Sequence, residues 1–167
     1  MSRIGLAALQ ALFRAAGLTV SQLAENAAIP GSFWGAPEAG LIGHRLYVRA
    51  DTPVHSALHE ACHYLCLDET RRPSLHTDAG SSDVEENAVC YLQCLLAEQL
   101  AGYSMAQCFA DMDAWGYNFV LGSARAWFNN DSEDARDYLR RLVLPRLRRS
   151  GIRIELPPVE SATQALA

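Results

Sequence analysis

The stretch SALHEACHYLCLDE, residues 56–69, constrains this chain more than any other segment because it carries His-Glu-Ala-Cys-His at 59–63. Residues four positions apart lie on one face of an α-helix, so His59 and His63 can present both imidazoles to one cation. Glu60 is turned about 100° from His59 and can reach a water molecule beside that cation. The spacing therefore predicts a metal-binding helix. The alternative is an ordinary buried helix whose histidines are satisfied in the core.

The composition fits one globular domain and argues against functions that need a strong positive charge or a reactive lysine. The chain has 167 residues, of which 50% are hydrophobic, enough to bury a core. Its net charge of −5 and the mixture of acids and arginines at 133–149 predict a solvated helix face and argue against a nucleic-acid partner. All 14 Lys or Arg residues are arginine, which excludes a Schiff-base lysine.

The five cysteines, together with the lack of a convincing cleavage site after the N-terminal apolar run, predict a cytoplasmic protein with reduced thiols. No apolar run approaches the length of a membrane span, so no membrane partner is expected. Cys62 and Cys66 are four residues apart, as are Cys90 and Cys94. These four thiols could form a second metal site if their helices met, but small buried apolar residues are the simpler interpretation.

Periodicity and capping residues predict an α+β, predominantly helical fold with a small sheet. The predicted helices lie at 3–16, 20–28, 53–67, 84–100, 104–115, 117–128 and from the segment NNDSED to a kink or end at Pro145. Ser82-Asp83 is predicted to cap the helix at 84–100, and Ser104 is predicted to cap the next one. Strands are predicted at 41–50 and 152–156. The predicted organisation is one domain over 1–156, with N-terminal helices in 1–30, a metal-site core in 41–102, a C-terminal helical part in 103–150 and a disordered tail in 157–167.

A catalytic zinc site needs a third protein ligand, and the helix after residue 83 offers adjacent glutamates. Helical spacing from Glu85 follows an apolar stripe, whereas the same spacing from Glu86 follows a more mixed face. A carboxylate at the head of an apolar stripe points to the core, where it is costly without a cation. The pattern thus favours Glu85 as the third ligand, with Glu86 and His76 as alternatives.

The segments GHRLYVRADTPVHSALHEACHYL and EENAVCYLQCLL together resemble zincin metallopeptidases of the ImmA/IrrE type. In that pattern a strand leads into the HExxH helix, and a later helix carries Glu-x-x-Ala with an aromatic residue nearby. The resemblance covers residues 41–100 and implies a zincin-like fold, in which a small sheet packs beside the HExxH helix and a second, glutamate-bearing helix. Residues 103–150 do not match the pattern, so a separate zincin-like family is an open alternative.

The same resemblance implies the roles of the site residues. His59, His63 and Glu85 would hold one zinc ion, and Glu60 would act as general base. The implied function is a zinc-dependent hydrolase, a metallopeptidase that cleaves a protein or peptide with metal-activated water. Residues 41–50 or the preceding GAPEAG would line the substrate cleft as an edge strand.

Several roles stay open at this point. Candidate donors to the tetrahedral oxyanion are Tyr64, Tyr103, Tyr117 and His76. His55 lies one turn before His59 and is expected to be exposed rather than to face the substrate. The alternative functions are a catalytically idle zincin-like module that binds a regulator, and a metal site built from the four cysteines at 62, 66, 90 and 94.

Overall fold

The computed structural model describes residues 4–77 and 82–158 and has an α+β fold, as predicted. In chain order the helices are α1 (Leu6–Arg14), α2 (Val54–Cys66), α3 (Asp83–Ala97), α4 (Met105–Trp115), α5 (Ala124–Asn130), α6 (Glu133–Tyr138) and α7 (Leu144–Arg149). The strands are β1 (Thr19–Gln22), β2 (Gly40–Ile42) and β3 (Arg45–Val48). A 3₁₀ turn at Arg72–Ser74 and a π-helical turn at Leu139–Val143 complete the described elements.

The sheet has the order β1-β3-β2, and its first strand contradicts the predicted helix at 20–28. β1 runs parallel to β3, with Val20 opposite Leu46. Thr19 and Val20 are β-branched and suit an extended strand, and pairing with a strand about 25 residues later outweighs the local helical pattern. The prediction of a helix at 20–28 is therefore wrong, whereas the helix predicted at 3–16 is observed as α1.

The strand predicted at 41–50 is a hairpin in the structure. β2 pairs antiparallel with β3, with Leu41 opposite Leu46. The reversal falls at Gly43, whose φ of 55° is a left-handed conformation that glycine adopts without a steric penalty. The chain then enters α2 after Pro53, within one residue of the predicted start.

Helices α2 and α3 pack against each other at the centre of the molecule. Leu58 and Leu65 on α2 and Leu92 and Leu96 on α3 are fully buried. Ser82 caps α3 by accepting a hydrogen bond from the backbone N–H of Glu85 at 3.4 Å. Because both helices are enclosed, polar side chains on their shared face are held in fixed positions.

The C-terminal half covers this pair. Ser104 caps α4 as predicted, but the helix predicted at 117–128 begins only at Ala124, after a loop. The interruption predicted at Pro145 is a π-helical turn directly before it, where proline supplies no backbone N–H. Residues 152–156 form no strand, so that prediction is wrong.

Two side chains of this half reach back to the central helices. Arg146 donates hydrogen bonds to the carbonyl oxygens of Cys66 at 2.6 Å and of Leu65 at 3.4 Å, where α2 ends. Tyr138 contacts the first turn of α3. The tail predicted to be disordered lies, from residue 159 on, outside the described residues. No described helix combines the length and apolarity that crossing a bilayer requires.

Candidate metal centre

The side chains of His59, His63 and Glu86 converge between α2 and α3. The two Nε2 atoms lie 3.1 Å apart, and the carboxylate oxygens of Glu86 lie 3.4 Å from Nε2 of His59 and 3.5 Å from Nε2 of His63. A tetrahedral zinc ion with bonds of 2.0–2.1 Å holds its ligand atoms about 3.3 Å apart. These separations are close to that value, with Oε1 of Glu86 facing His59 and Oε2 facing His63. One ligand atom from each of the three residues lies within 4.8 Å of the others, and no other such group occurs among residues 4–77 and 82–158.

The second ring nitrogen of His59 fixes which nitrogen faces the cluster. Nδ1 of His59 lies 2.8 Å from the side-chain carbonyl oxygen of Gln93, which can only accept a hydrogen bond. Nδ1 therefore carries the proton, and Nε2 presents its lone pair toward Glu86 and His63. Metal-binding histidines are oriented in this way by a partner on the other nitrogen.

Sequence analysis did not identify Gln93, although a signal was present. Gln93 is fully buried and lies seven residues after Glu86, two turns along the same face of α3. The mixed composition of that face is the reason why the sequence favours Glu85 over Glu86. A polar side chain within a buried helix is the signal that marks the face toward the histidines.

His63 is held neutral by its surroundings. Burial, and then the neighbouring His59, lower its pKa from 6.5 to about 3. Its Nδ1 is buried and has no hydrogen-bond partner in the described structure. A neutral imidazole with an available lone pair is the form that binds a metal ion.

Glu85, which the sequence favoured as the third ligand, points away from the histidines. Its carboxylate accepts hydrogen bonds from both terminal nitrogens of Arg71, at 2.7 and 3.2 Å, and from the hydroxyl of Tyr138 at 2.9 Å. The expectation that a buried carboxylate here needs a cation was sound, since Glu85 is 5% exposed. The cation is the Arg71 guanidinium, and Glu86 takes the position beside the histidines.

His76, the other alternative, is also outside the cluster. It forms an isolated antiparallel bridge with Ile42, and its Nδ1 lies 2.9 Å from the hydroxyl of Thr77. The structure thus brings together His59, His63 and Glu86 and separates them from both Glu85 and His76.

Glu60, the predicted general base, is a buried carboxylate without a compensating charge. Burial, and then the nearby carboxylates of Glu38 and Glu86, raise its pKa well above the usual value. None of the described residues forms a hydrogen bond or ion pair with it. A cation at the histidines would favour its charged form, so this otherwise costly grouping of carboxylates fits a metal ion.

Of the four candidate oxyanion donors, the structure places Tyr117 at the cluster. Its ring lies edge-on to the imidazole of His59, with centroids 5.6 Å apart. Burial and nearby acidic groups raise the pKa of its hydroxyl well above 10, so it keeps its proton. Tyr64 donates instead to the carbonyl of Ala16 at 3.2 Å, and Tyr103 donates to Asp111 at 2.8 Å.

The outer edge of β2 is already hydrogen-bonded to other parts of the chain. This pairing argues against the expectation that residues 41–50 bind a substrate as an edge strand. The backbone N–H of Leu41 donates to Gly31, its carbonyl accepts from Thr77, and the N–H of Gly43 donates to Leu75. A peptide cannot add to this edge without displacing these bonds. The loop before β2 carries Glu38, whose charge acts on Glu60.

The four cysteines do not form a metal site among the described residues. All five thiols of the chain are buried and free. The thiol of Cys94 donates to the carbonyl of Cys90 at 3.2 Å, and Cys94 and Cys108 both contact the sulfur of Met112. Among the described residues, no group of three or more side chains that could hold an ion includes a thiol. Their packing agrees with the simpler interpretation, buried apolar side chains.

Comparison with known proteins assigns no family. No protein-family model matches the chain, and neither the curated proteins nor the solved structures contain a match. A function is therefore argued from the cluster itself.

Proposed function

We propose that this protein is a metal-dependent hydrolase, a zinc peptidase of zincin-like architecture, whose ion is held by His59, His63 and Glu86. The observation that carries this assignment is the convergence of the three side chains: the two Nε2 atoms lie 3.1 Å apart, and each lies 3.4–3.5 Å from a carboxylate oxygen of Glu86. Glu60 directly follows the first of these ligands, and its pKa is raised above the usual value, so it is the candidate general base once a cation favours its charged form.

The order of elements supports the same assignment. β3 leads into the HExxH helix α2, and a glutamate lies at the start of α3, which is the order in the ImmA/IrrE pattern that the sequence resembles. The glutamate beside the histidines is one position later than the pattern implies. A protein or peptide substrate and a cytoplasmic location belong to this proposal as well.

The residues around the cluster have separate tasks in hydrolysis. A bound divalent cation would lower the pKa of a water molecule to about 7 and polarise the substrate carbonyl. Glu60 accepts the proton of the attacking water and delivers it to the leaving amine. The hydroxyl of Tyr117 donates a hydrogen bond to the oxyanion. Gln93 holds the imidazole of His59 in the tautomer that leaves Nε2 free.

Metal binding by neighbouring glutamate variants tests the ligand set. We expect one zinc ion per chain, loss of zinc in His59→Ala, and an affinity about 100-fold lower in Glu86→Gln. Glu85→Gln is the matched control, since it removes the adjacent charge and should keep zinc. Elemental analysis measures the zinc content, and competition with a chromophoric chelator measures the zinc affinity. Zinc that survives His59→Ala, or that depends on Glu85 rather than Glu86, contradicts the assignment.

Peptide hydrolysis tests the catalytic role. In a diverse peptide library read by mass spectrometry, Glu60→Gln should retain zinc and cleave about 10²–10⁴-fold more slowly than the original chain. Zinc binding without cleavage by the unaltered chain would favour the idle regulatory module instead.

A further inference from the structure

A cavity lies at the N-terminal end of α2, one helical turn before the cluster of His59, His63 and Glu86. Its volume is about 370 Å³, and its wall includes His55, Tyr103, Asp111 and Trp115. The rest of the wall comes from residues 50–54 and Ala114. This volume accommodates an amino-acid side chain or a small ligand.

His55 is the unusual member of this wall. It is 3% exposed, and neither of its ring nitrogens has a hydrogen-bond partner in the described structure. The expectation that it would be exposed is wrong because Trp115 and Tyr117 cover it, with ring centroids 5.2 and 6.2 Å away. Buried polar groups are nearly always paired, so two unpaired nitrogens on one ring point to a hydrogen-bonding ligand.

The charges of the wall indicate what that ligand is. Of the residues that line the cavity, Asp51 and Asp111 are negative and none is an arginine. Asp51 is neutralised by Arg49 at 2.6 Å. Asp111 accepts hydrogen bonds only from neutral groups, the hydroxyl of Tyr103 and the amide of Gln107, each at 2.8 Å. Its negative charge is therefore available to a cation.

The remaining groups suit a planar or ammonium cation. The indole of Trp115 is 41% exposed and provides an electron-rich surface, which attracts a guanidinium or ammonium group. His55 is neutral near pH 7, because burial lowers its pKa to about 4. Its ring nitrogens are closed off from solvent, so one of them can accept an N–H only when the covering ring of Trp115 moves aside.

We propose that this cavity binds the cationic end of an arginine or lysine side chain of a polypeptide substrate, through Asp111, Trp115 and His55. This inference depends on the proposed peptidase function. The ring of Tyr117 contacts both His55 and His59, so the cavity adjoins the metal centre. A side chain held there would belong to a residue close to the bond that is cleaved.

Binding of uncharged and charged probes tests this subsite without any turnover. The protein is the full zinc-loaded chain carrying Glu60→Gln, and the probes are N-acetylarginine amide and N-acetylcitrulline amide, which differ in charge but hardly in shape. Isothermal titration calorimetry should give an affinity for the arginine probe at least about tenfold higher than for the citrulline probe. Equal affinities would overturn the inference.

Variants assign the binding to the cavity. Asp111→Asn should weaken the arginine probe about tenfold, whereas Glu25→Gln, which removes the same charge from an exposed position, should leave it unchanged. His55→Phe keeps a ring against Trp115 and should weaken binding severalfold. Thermal unfolding shows whether Asp111→Asn is folded. If it is not, Trp115→Leu tests the cavity instead, because this position is partly exposed and its replacement should be tolerated. Unchanged affinity in folded variants of Asp111 and Trp115 refutes the subsite.

Two further outcomes separate related hypotheses. Agmatine that binds as tightly as N-acetylarginine amide would indicate a site for free organic cations and would overturn the peptide assignment. Because the probes are not cleaved, a chain that hydrolyses nothing but prefers the arginine probe would refute the proposed function and leave the cation subsite standing. Hydrolysis by the unaltered chain without any preference for the charged probe would support the proposed function and refute the cation subsite.

Discussion

Replacing His55 with phenylalanine should make the metal-free protein more resistant to acid. Burial is the main cause that lowers the pKa of His55 from 6.5 to about 4, while Asp111 opposes the shift and His59 adds to it. Below pH 6.5 the imidazole takes up a proton in the unfolded chain, but in the folded chain it does so only near pH 4. The unfolded state thus binds more protons, and the free energy of unfolding decreases as the pH falls through this window.

The expected loss in the free energy of unfolding follows from the lowered pKa of His55. A lowering of about 2.5 pKa units corresponds to about 3 kcal/mol of stability lost once the pH is near 4, since one unit is worth about 1.4 kcal/mol. Phenylalanine takes up no proton, so His55→Phe should escape this loss. Removing two unpaired buried nitrogens should also stabilise the variant by about 1–3 kcal/mol at every pH.

Urea unfolding of the chelator-treated protein at pH 7.5 and pH 4.5 measures both contributions. The stability difference between His55→Phe and the original chain should be about 2–3 kcal/mol larger at pH 4.5 than at pH 7.5. His55→Leu is the matched control, because it also lacks a titratable group but packs less well against Trp115. Both variants should show the same pH dependence. A stability difference that does not change with pH would refute the assignment of a buried, neutral imidazole.

Three further predictions concern the surroundings of the site. Gln93→Leu should lower zinc affinity about 10–100-fold in a chelator competition, because His59 loses the acceptor that orients it. Glu85→Ala should lower the free energy of unfolding by about 1–2 kcal/mol in urea titrations, because Tyr138 and the partly exposed Arg71 lose their charged acceptor. Gly40→Ala should destabilise the protein by about 1–3 kcal/mol in the same assay, because an added Cβ would lie 2.1 Å from the carbonyl oxygen of Pro30.

Local features of the fold were predictable from the sequence. The helix predicted at 53–67 is observed as Val54–Cys66, and the serines predicted to cap α3 and α4 do so. In each case a capping residue and apolar residues at helical spacing lie within one segment, so neighbouring residues suffice to define the helix. The two histidines could be placed on one face for the same reason.

The third member of the cluster could not be derived in this way. An apolar stripe indicates that Glu85 is buried, but not which cation accompanies it. Arg71 lies 14 residues earlier and Tyr138 lies 53 residues later, and only the folded chain brings them to Glu85. Glu86 is left facing the histidines as a result.

Non-local pairing also explains the errors in secondary structure. β1 exists because β3 lies beside it in parallel, a contact that no local pattern reveals. The burial of His55 likewise depends on Trp115 and Tyr117, which lie at and just after the C-terminal end of α4, about 60 residues later in the chain. Segments that gain their structure from distant partners were the ones predicted poorly.

The contacts that Tyr138 and Arg146 make with the central helices limit how far the proposed metal centre can be reduced to a minimal fragment. Residues 41–100 contain the three clustered side chains, yet a peptide trimmed to that span would lose the hydroxyl that helps retain Glu85 and the guanidinium that occupies the last carbonyls of α2. Two adjacent carboxylates could then compete for one ion. Grafting this centre onto another scaffold would accordingly require transplanting its distal supports along with its ligands.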